Sequence, residues 1–237
     1  MLSTGGWIKV CGLVEYEDAL AAAAAGADAL GFVLAESPRR VRPAELARWS
    51  HRLPKEVLRV GVFVDASLAD VRRALDEAGL DAVQLHGRED LRAFADLSIP
   101  VIKVVSMPVA RSERERSEAA ISAEWLPRVA ALLLDTAVPG LSGGSGRSFA
   151  WNEVPRLRQR LGSDAPPLIV AGGLGPENVA AAIEQSGAWG VDVSSGVEAL
   201  PRTRPPRKDV ARIEAFIAAA RAAFARRAAA SAQGGGE

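Results

Sequence analysis

The chain has 237 residues, of which 49% are hydrophobic and 24% are charged, the composition of an ordinary globular protein. Its 29 Lys and Arg residues balance 29 Asp and Glu residues, so we expect neither nucleic acid nor a membrane surface as a ligand. No apolar run approaches the roughly 20 residues that cross a bilayer. Residues 1–6 lack the pattern of a secretion signal, and the single cysteine favours a cytoplasmic location.

Eight short apolar runs alternate with segments of helical propensity along the chain. The predicted strands cover residues 7–13, 28–34, 57–64, 80–85, 99–105, 129–134, 167–171 and 189–193. The predicted helices cover residues 15–25, 43–53, 68–78, 89–97, 111–125, 149–161, 176–185 and 208–229. Nearly continuous apolar runs are typical of parallel strands that are buried on both faces. Their strict alternation with helices therefore indicates an α/β protein with a parallel sheet.

Eight such units fit a single (β/α)8 TIM barrel, a fold that commonly takes about 250 residues. We predict that the barrel spans residues 7–229, with a ragged N-terminus at residues 1–6 and a low-complexity C-terminal tail at residues 230–237. The alternative is an open, doubly wound sheet. A dinucleotide-binding sheet of that kind has Gly-x-Gly-x-x-Gly after its first strand, where this chain offers only Gly12.

Polar residues follow the apolar runs at their C-terminal ends. They are Cys11, Asp65, His86, Lys103, Asp135, the pair Gly172–Gly173 and the segment 192–195. For any one of these positions the simpler interpretation is a polar residue that ends a strand. In a barrel, however, the C-terminal ends of the strands form the catalytic face. The variety of the set therefore predicts an active site there.

Cys11 is the only cysteine, so it cannot form an intramolecular disulfide. Most free cysteines are buried and inert, and that interpretation stays open for Cys11. Its position at the tip of the first strand, directly before Gly12, favours a reactive thiol instead. No cluster of His, Cys and Asp has the spacing of a metal site, so we expect neither a metal nor a cofactor.

Glycine-rich turns follow the seventh and eighth predicted strands. Barrels often bind phosphate with these two loops, where glycines let backbone N–H groups approach an anion. Two ordinary tight turns are the alternative. The loop at residues 143–148 resembles a nucleotide-binding loop, but Arg147 replaces its lysine and one glycine is missing, so we expect a mobile loop over the site. Arg39 and Arg40 follow the second strand, either as surface charge or as a clamp for a carboxylate.

Taken together, these segments resemble the phosphoribosylanthranilate isomerase family of tryptophan biosynthesis. The resemblance covers residues 7–216 in the family's order and rests on the segments 9–13, 31–33, 37–40, 60–64, 83–87, 133–136, 143–146, 171–178 and 191–198. It implies a single barrel that converts N-(5-phosphoribosyl)anthranilate to 1-(o-carboxyphenylamino)-1-deoxyribulose 5-phosphate without a metal or cofactor. This is an intramolecular aldose–ketose isomerisation, an Amadori rearrangement.

The resemblance also implies roles for individual residues. Cys11 matches the general base and Asp135 the general acid. Arg39 matches the arginine that binds the anthranilate carboxylate. The remaining substrate-binding positions are Gln84, His86 and Asp192, which match polar residues of the pocket, and Gly172, Gly173, Ser194, Ser195 and Gly196 at the phosphate site.

The sequence departs from the family in three places. Val14 replaces a polar residue, Arg40 adds a second arginine, and the segment 202–207 is longer and richer in proline, which leaves the start of the last helix open. Three alternatives remain. The first is the dual-substrate isomerase of histidine and tryptophan synthesis, which carries Asp where Cys11 stands. The second is indole-glycerol-phosphate synthase, which requires catalytic lysines and a glutamate. The third is a phosphate-binding scaffold, which would not need Cys11 or Asp135. We expect a small phosphosugar substrate and a monomer or homodimer.

Overall fold

The computed structural model of the chain describes residues 6–108, 121, 124, 126–137 and 148–233. Its eight strands are β1 (Trp7–Cys11), β2 (Ala29–Val33), β3 (Leu58–Phe63), β4 (Ala82–Leu85), β5 (Val101–Pro108), β6 (Ala131–Ala137), β7 (Leu168–Val170) and β8 (Gly190–Val193). Each strand pairs in parallel with the next, and β8 pairs with β1 to close the barrel. The predicted (β/α)8 TIM barrel is therefore confirmed.

Six α-helices lie in the described part of the chain. They are α1 (Tyr16–Ala24), α2 (Pro43–Ser50), α3 (Leu68–Ala78), α4 (Val154–Leu161), α5 (Val179–Ser186) and α6 (Val210–Gln233). The sequence sets the limits of α3 directly. The Ser67 hydroxyl accepts a hydrogen bond from the Asp70 amide at its start, and Gly79 ends it in the left-handed conformation that glycine adopts without strain.

Two of the predicted helices are not among these six α-helices. The short helix predicted at residues 89–97 forms only over Leu91–Phe94, and it is a 3₁₀ helix. Its first and last residues are three apart and both buried, which suits a helix of three residues per turn. The helix predicted at 111–125 and the loop predicted at 143–148 fall almost wholly outside the described residues.

Side-chain alternation divides the core into two layers. On β1, Ile8 and Val10 point outwards, into the hydrophobic layer between the barrel and the surrounding helices. Trp7 packs inside the barrel, against residues such as Ile102 and Ile169. Since successive side chains of a strand point to opposite faces, Lys9 and Cys11 share the inward face with Trp7. The thiol therefore stands at the C-terminal end of the barrel interior, with a lysine one step beneath it.

The segment between β8 and α6 is fastened to the start of the chain. Arg207 forms two hydrogen bonds, of 3.0 and 2.9 Å, to the buried carboxylate of Asp18, which also accepts 2.9 Å from the Lys208 amide. Asp209 then caps α6 by accepting from the Arg212 amide at 3.1 Å. This answers the question of the helix start, which is Val210, two residues after the predicted residue 208.

The ends of the barrel differ slightly from the predicted boundaries. Helix α6 continues to Gln233, so the first four residues of the predicted tail 230–237 are helical. Gly6, the last residue of the predicted ragged N-terminus, donates a 3.0 Å hydrogen bond to the carbonyl of Trp189. Among the described residues, no helix combines the length and apolar character that would let it cross a membrane.

Candidate active site

One cavity opens at the C-terminal ends of the strands, and most of the predicted site residues line it. The predicted residues around it are Cys11, Arg39, Gln84, His86, Asp135, Gly172, Gly173, Asp192, Ser194 and Ser195. Gly196 is the exception. It lies in the middle of the 3₁₀ turn Ser195–Val197, where its carbonyl accepts a 2.8 Å hydrogen bond from Nε of Arg212. The barrel thus gathers side chains from the first, middle and last strands around one opening.

Lys103 does not belong to this rim. The sequence placed it at a strand end, but β5 runs on to Pro108 and leaves Lys103 as its third residue. Its Nζ lies 2.8 Å from Oε2 of Glu89, whose other carboxylate oxygen accepts from the amides of Asp65 and Gly87. This arrangement fixes the turn that follows His86 instead of facing the cavity.

The wall beneath Cys11 is charged. Lys9 is completely buried, and its Nζ lies 2.9 Å from Oδ1 of Asp192, the residue paired with it in the β1–β8 register. Burial alone would lower the pKa of Lys9, but the Asp192 carboxylate and Cys11 raise it above its ordinary value. Lys9 is therefore an ammonium group at neutral pH. The sequence analysis missed it, although the alternation Trp7, Lys9, Cys11 carried the signal.

Cys11 itself is 7% exposed and lines the cavity. Burial raises the pKa of its thiol, Lys9 and Lys208 oppose that rise, and Asp192 adds to it. The net direction is upward, so the neutral thiol predominates at rest. The thiolate that base catalysis requires is then a minority state, whose population depends on the two neighbouring ammonium groups.

Asp135 stands on β6, and burial combined with repulsion from Asp192 raises its pKa to about 6. About a tenth of such carboxyl groups are protonated at pH 7. Nε2 of His86 lies 3.8 Å from Oδ2 of Asp135. Burial and the nearby ammonium groups of Lys103 and Lys9 lower the pKa of His86, so this imidazole is neutral. Asp135 can therefore deliver a proton without competition from an imidazolium.

Arg39 lies on the rim with its guanidinium already oriented. Its Nε lies 2.6 Å from Oε1 of Glu198, which is also 3.7 Å from Nζ of Lys208. Burial opposes ionisation of Glu198, but Arg39, Lys208 and Arg202 together hold its pKa below the ordinary value. Because Nε is taken, the two terminal nitrogens of Arg39 are the ones that can meet a ligand. Neither Glu198 nor Lys208 was predicted.

Arg40, the other candidate at this loop, has a different role. Its Nη1 lies 2.7 Å from Oε2 of Glu36, and its side chain is about half exposed. It is absent from the residues around the cavity. Of the two adjacent arginines, geometry therefore favours Arg39 as the ligand-binding group.

Two glycines make room for this site. A Cβ on Gly31 would lie 2.6 Å from Sγ of Cys11 and 3.0 Å from Cε of Lys9, closer than van der Waals contact allows. Gly172 has a φ of +82°, a backbone conformation that other residues adopt only with strain. A Cβ there would also collide with Thr136. The first glycine lets the thiol and the ammonium pack closely, and the second shapes the turn after β7.

Gln84 presents an open acceptor to the cavity. It is 3% exposed, and its Oε1 is buried without a hydrogen-bond partner among the described residues. A buried polar atom without a partner is costly, so a ligand hydroxyl or N–H group would bind here favourably. Within the described ranges, no three His, Cys, Asp or Glu side chains come together as a metal ion would require.

Comparisons with known proteins agree on one relationship. Residues 8–219 match the family model described as N-(5'phosphoribosyl)anthranilate (PRA) isomerase. An N-(5'-phosphoribosyl)anthranilate isomerase from Symbiobacterium thermophilum is 42% identical over 229 residues, which cover 91% of this chain and 98% of the relative. The enzyme of the same name from Acidithiobacillus ferrooxidans is 43% identical over 215 residues, or 90% of this chain and 97% of the relative.

Solved structures show the same similarity. The phosphoribosyl anthranilate isomerase from Thermotoga maritima superposes with a TM-score of 0.77 at 36% identity, over 91% of this chain and 98% of that structure. A second solved phosphoribosyl anthranilate isomerase is in complex with reduced 1-(o-carboxyphenylamino)-1-deoxyribulose 5-phosphate. It gives a TM-score of 0.74 at 35% identity, over 91% of this chain and 98% of that structure.

Proposed function

The chain belongs to the N-(5'-phosphoribosyl)anthranilate isomerase family, and we propose that its cavity carries out the family's reaction with Cys11 as general base and Asp135 as general acid. The reaction is the Amadori rearrangement of N-(5-phosphoribosyl)anthranilate to 1-(o-carboxyphenylamino)-1-deoxyribulose 5-phosphate in tryptophan biosynthesis. The observation that carries the assignment is the placing of a thiol and a carboxyl of raised pKa around one cavity, on β1 and β6.

The first chemical step needs an acid. Protonated Asp135 donates to the ring oxygen of the ribose while the lone pair of the anilino nitrogen moves towards C1′. The bond between C1′ and the ring oxygen then breaks, which leaves an open-chain iminium ion and ionised Asp135. A pKa of about 6 suits this task, because it keeps some of the acid form near neutral pH and still allows the proton to leave.

The second step needs a base. The Cys11 thiolate takes the proton from C2′, and the electrons of that C–H bond neutralise the iminium ion and give an enolamine. The enol hydroxyl then loses a proton while C1′ gains one, which produces the ketone. Protons balance over the cycle once Cys11 returns its proton and Asp135 regains one through solvent.

Two anionic handles orient the sugar between these groups. Arg39, held by Glu198, presents its terminal nitrogens to the anthranilate carboxylate. The turns at Gly172–Gly173 and Ser194–Ser195, which line the same cavity, offer backbone groups to the phosphate. Fixing both ends holds the reacting carbons in register with the acid and the base. Gln84 then accepts from a ribose hydroxyl, with His86 and Asp192 completing the wall.

The wider setting is part of the same proposal. A cytoplasmic location and the lack of a nucleic-acid partner are supported by the balanced charge and the single cysteine. A monomer or homodimer is supported by a solved relative, described as monomers generated from the dimeric phosphoribosylanthranilate isomerase of Thermotoga maritima.

The test is a direct assay of the purified chain. Phosphoribosylanthranilate is supplied, and the loss of anthranilate-type fluorescence is followed against the Asp135→Asn variant as the matched control. We expect rapid loss with the wild type and none above background with the variant. Equal rates would remove Asp135 from the reaction. No turnover by the folded wild type would leave a phosphate-binding scaffold as the better description.

A further inference from the structure

The buried ammonium beneath the thiol has no role in the steps above. We propose that Lys9 is a positioning residue for the base, a fixed positive charge that allows Cys11 to become a thiolate inside the barrel. This inference rests on the proposed function only for the use to which the thiolate is put. The geometry that carries it, a charged pair sealed under a reactive sulfur, exists in the protein without substrate.

The first argument is the position of the lysine. Lys9 and Cys11 are separated by one residue on β1 and share its inward face, and both side chains press against the bare backbone of Gly31. Lys9 is completely buried, so water does not screen its charge. An ammonium group has three donors, and Asp192 takes one of them. The charge of Lys9 therefore acts on the sulfur through a medium of low dielectric constant.

The second argument is the balance of charge around the opening. The titratable groups that face Cys11 from the surrounding elements are Lys9, Arg39, His86, Asp135, Asp192 and Lys208. Glu198 lies behind Arg39 and Lys208, and Glu36, which also lines the cavity, is neutralised by its ion pair with Arg40. Apart from that pair, with His86 neutral and Asp135 protonated, as the reaction requires, three cations face two carboxylates. A thiolate then brings the cluster to neutrality, whereas without Lys9 it would create an excess of negative charge.

A purely structural role for Lys9 predicts something different. A lysine kept only to neutralise Asp192 would matter for folding and leave the thiol unaffected. Burial raises the pKa of Cys11, and Lys9 is the largest influence against that rise, ahead of Lys208. Its removal should therefore change the titration of the sulfur in a folded protein.

Cys11 is the only cysteine of the chain, so every thiol signal comes from it. We would measure the rate of its alkylation by iodoacetamide against pH in the substrate-free protein, for wild type, Lys9→Met and Asp192→Asn. Lys9→Met should move the midpoint up by at least about one pH unit, so that alkylation at pH 7 is about tenfold slower. Asp192→Asn should move it down, because it removes a negative charge and leaves the ammonium.

Two further variants keep the result decisive. Lys9→Met/Asp192→Asn removes both charges together, so no buried charge is left unpaired if the single variant fails to fold. Its midpoint should still lie above that of the wild type. Lys103→Met removes another buried lysine of the barrel, which pairs with Glu89 instead, and its midpoint should equal that of the wild type.

Turnover gives an independent measurement. In Lys9→Met we expect kcat to fall by about tenfold at pH 7 with KM unchanged, because the thiolate is scarcer while the supply of protonated Asp135 is the same. The alkaline limb of the kcat profile, where the thiol titrates, should move up together with the alkylation midpoint. Midpoints equal to the wild type in both folded Lys9 variants would overturn the inference. Because alkylation needs no substrate, that result is distinct from a failure of the isomerase function, which would appear as a wild type without turnover.

Discussion

Ionisation of Asp135 should lower the free energy of unfolding of the protein. Its pKa lies at about 6 in the folded protein against an ordinary value of 3.8, because burial and Asp192 disfavour the charged form. At 1.36 kcal/mol for each tenfold change in proton affinity, this difference costs about 3 kcal/mol of stability once the group is ionised. We therefore expect Asp135→Asn to be more stable than the wild type by about that amount at pH 7.5.

The sign follows from the two protonation equilibria. Below pH 3.8 the carboxyl is protonated in both the folded and the unfolded chain, so asparagine gives no advantage. As the pH rises towards about 6, the unfolded chain loses its proton while the folded chain keeps it, and the wild type loses stability. Above about pH 6 both forms are ionised, and the advantage of asparagine becomes constant.

The assay is urea unfolding of both proteins at a series of pH values from 4 to 8, followed by circular dichroism. The difference in unfolding free energy should rise between pH 4 and 6 and then level off near 3 kcal/mol. Asp76→Asn, on the exposed face of α3, is the matched control for the loss of one carboxylate. A flat curve for Asp135→Asn would refute a carboxyl destabilised by its surroundings.

The other predictions concern the reaction itself. Cys11→Ser should keep the fold and lower kcat by about 100-fold or more, the usual scale for a lost general base; an unchanged kcat would remove Cys11 from the mechanism. Arg39→Ala should weaken aminobenzoate ligands by about 1.5–3 kcal/mol in calorimetry and leave inorganic phosphate unaffected, whereas equal losses would place Arg39 at the phosphate. Gly31→Ala should lower kcat because its Cβ would lie 2.6 Å from Sγ of Cys11, and normal kinetics would show that β2 can shift. The profile of kcat/KM against pH should have its acidic limb at about pH 6, where Asp135 titrates, and a limb elsewhere would assign it to another group.

The sequence was sufficient for the barrel because its signal is repeated. Each strand buried on both faces is an apolar run, and eight of them in alternation with helices admit few other folds. One segment between two strands carries much less information than the repeated pattern. The residues around Leu91–Phe94 have helical propensity, but this propensity does not reveal that only four of them form a 3₁₀ helix.

The sequence predicted the side chains that stand at strand ends around the cavity, but not the charged side chain inside the barrel. In the sequence, Lys9 is part of an apolar run. The alternation along β1 places it on the inward face with Cys11, but its charge partner Asp192 lies 183 residues away. The choice between Arg39 and Arg40 could not be made from adjacent positions either. It depends on Glu198, which reaches Arg39 only after β8 has closed the barrel.

The pairing of Lys9 with Asp192 also constrains how the chain folds. The ammonium of Lys9 on the first strand is paired with a carboxylate on the last strand. In the same way, Asp18 on the first helix is paired with Arg207 near the end of the chain. Without β8 the Lys9 ammonium would lack its countercharge, and burying it unpaired would be costly. We therefore expect fragments that stop short of β8 to stay expanded, with an interior open to water.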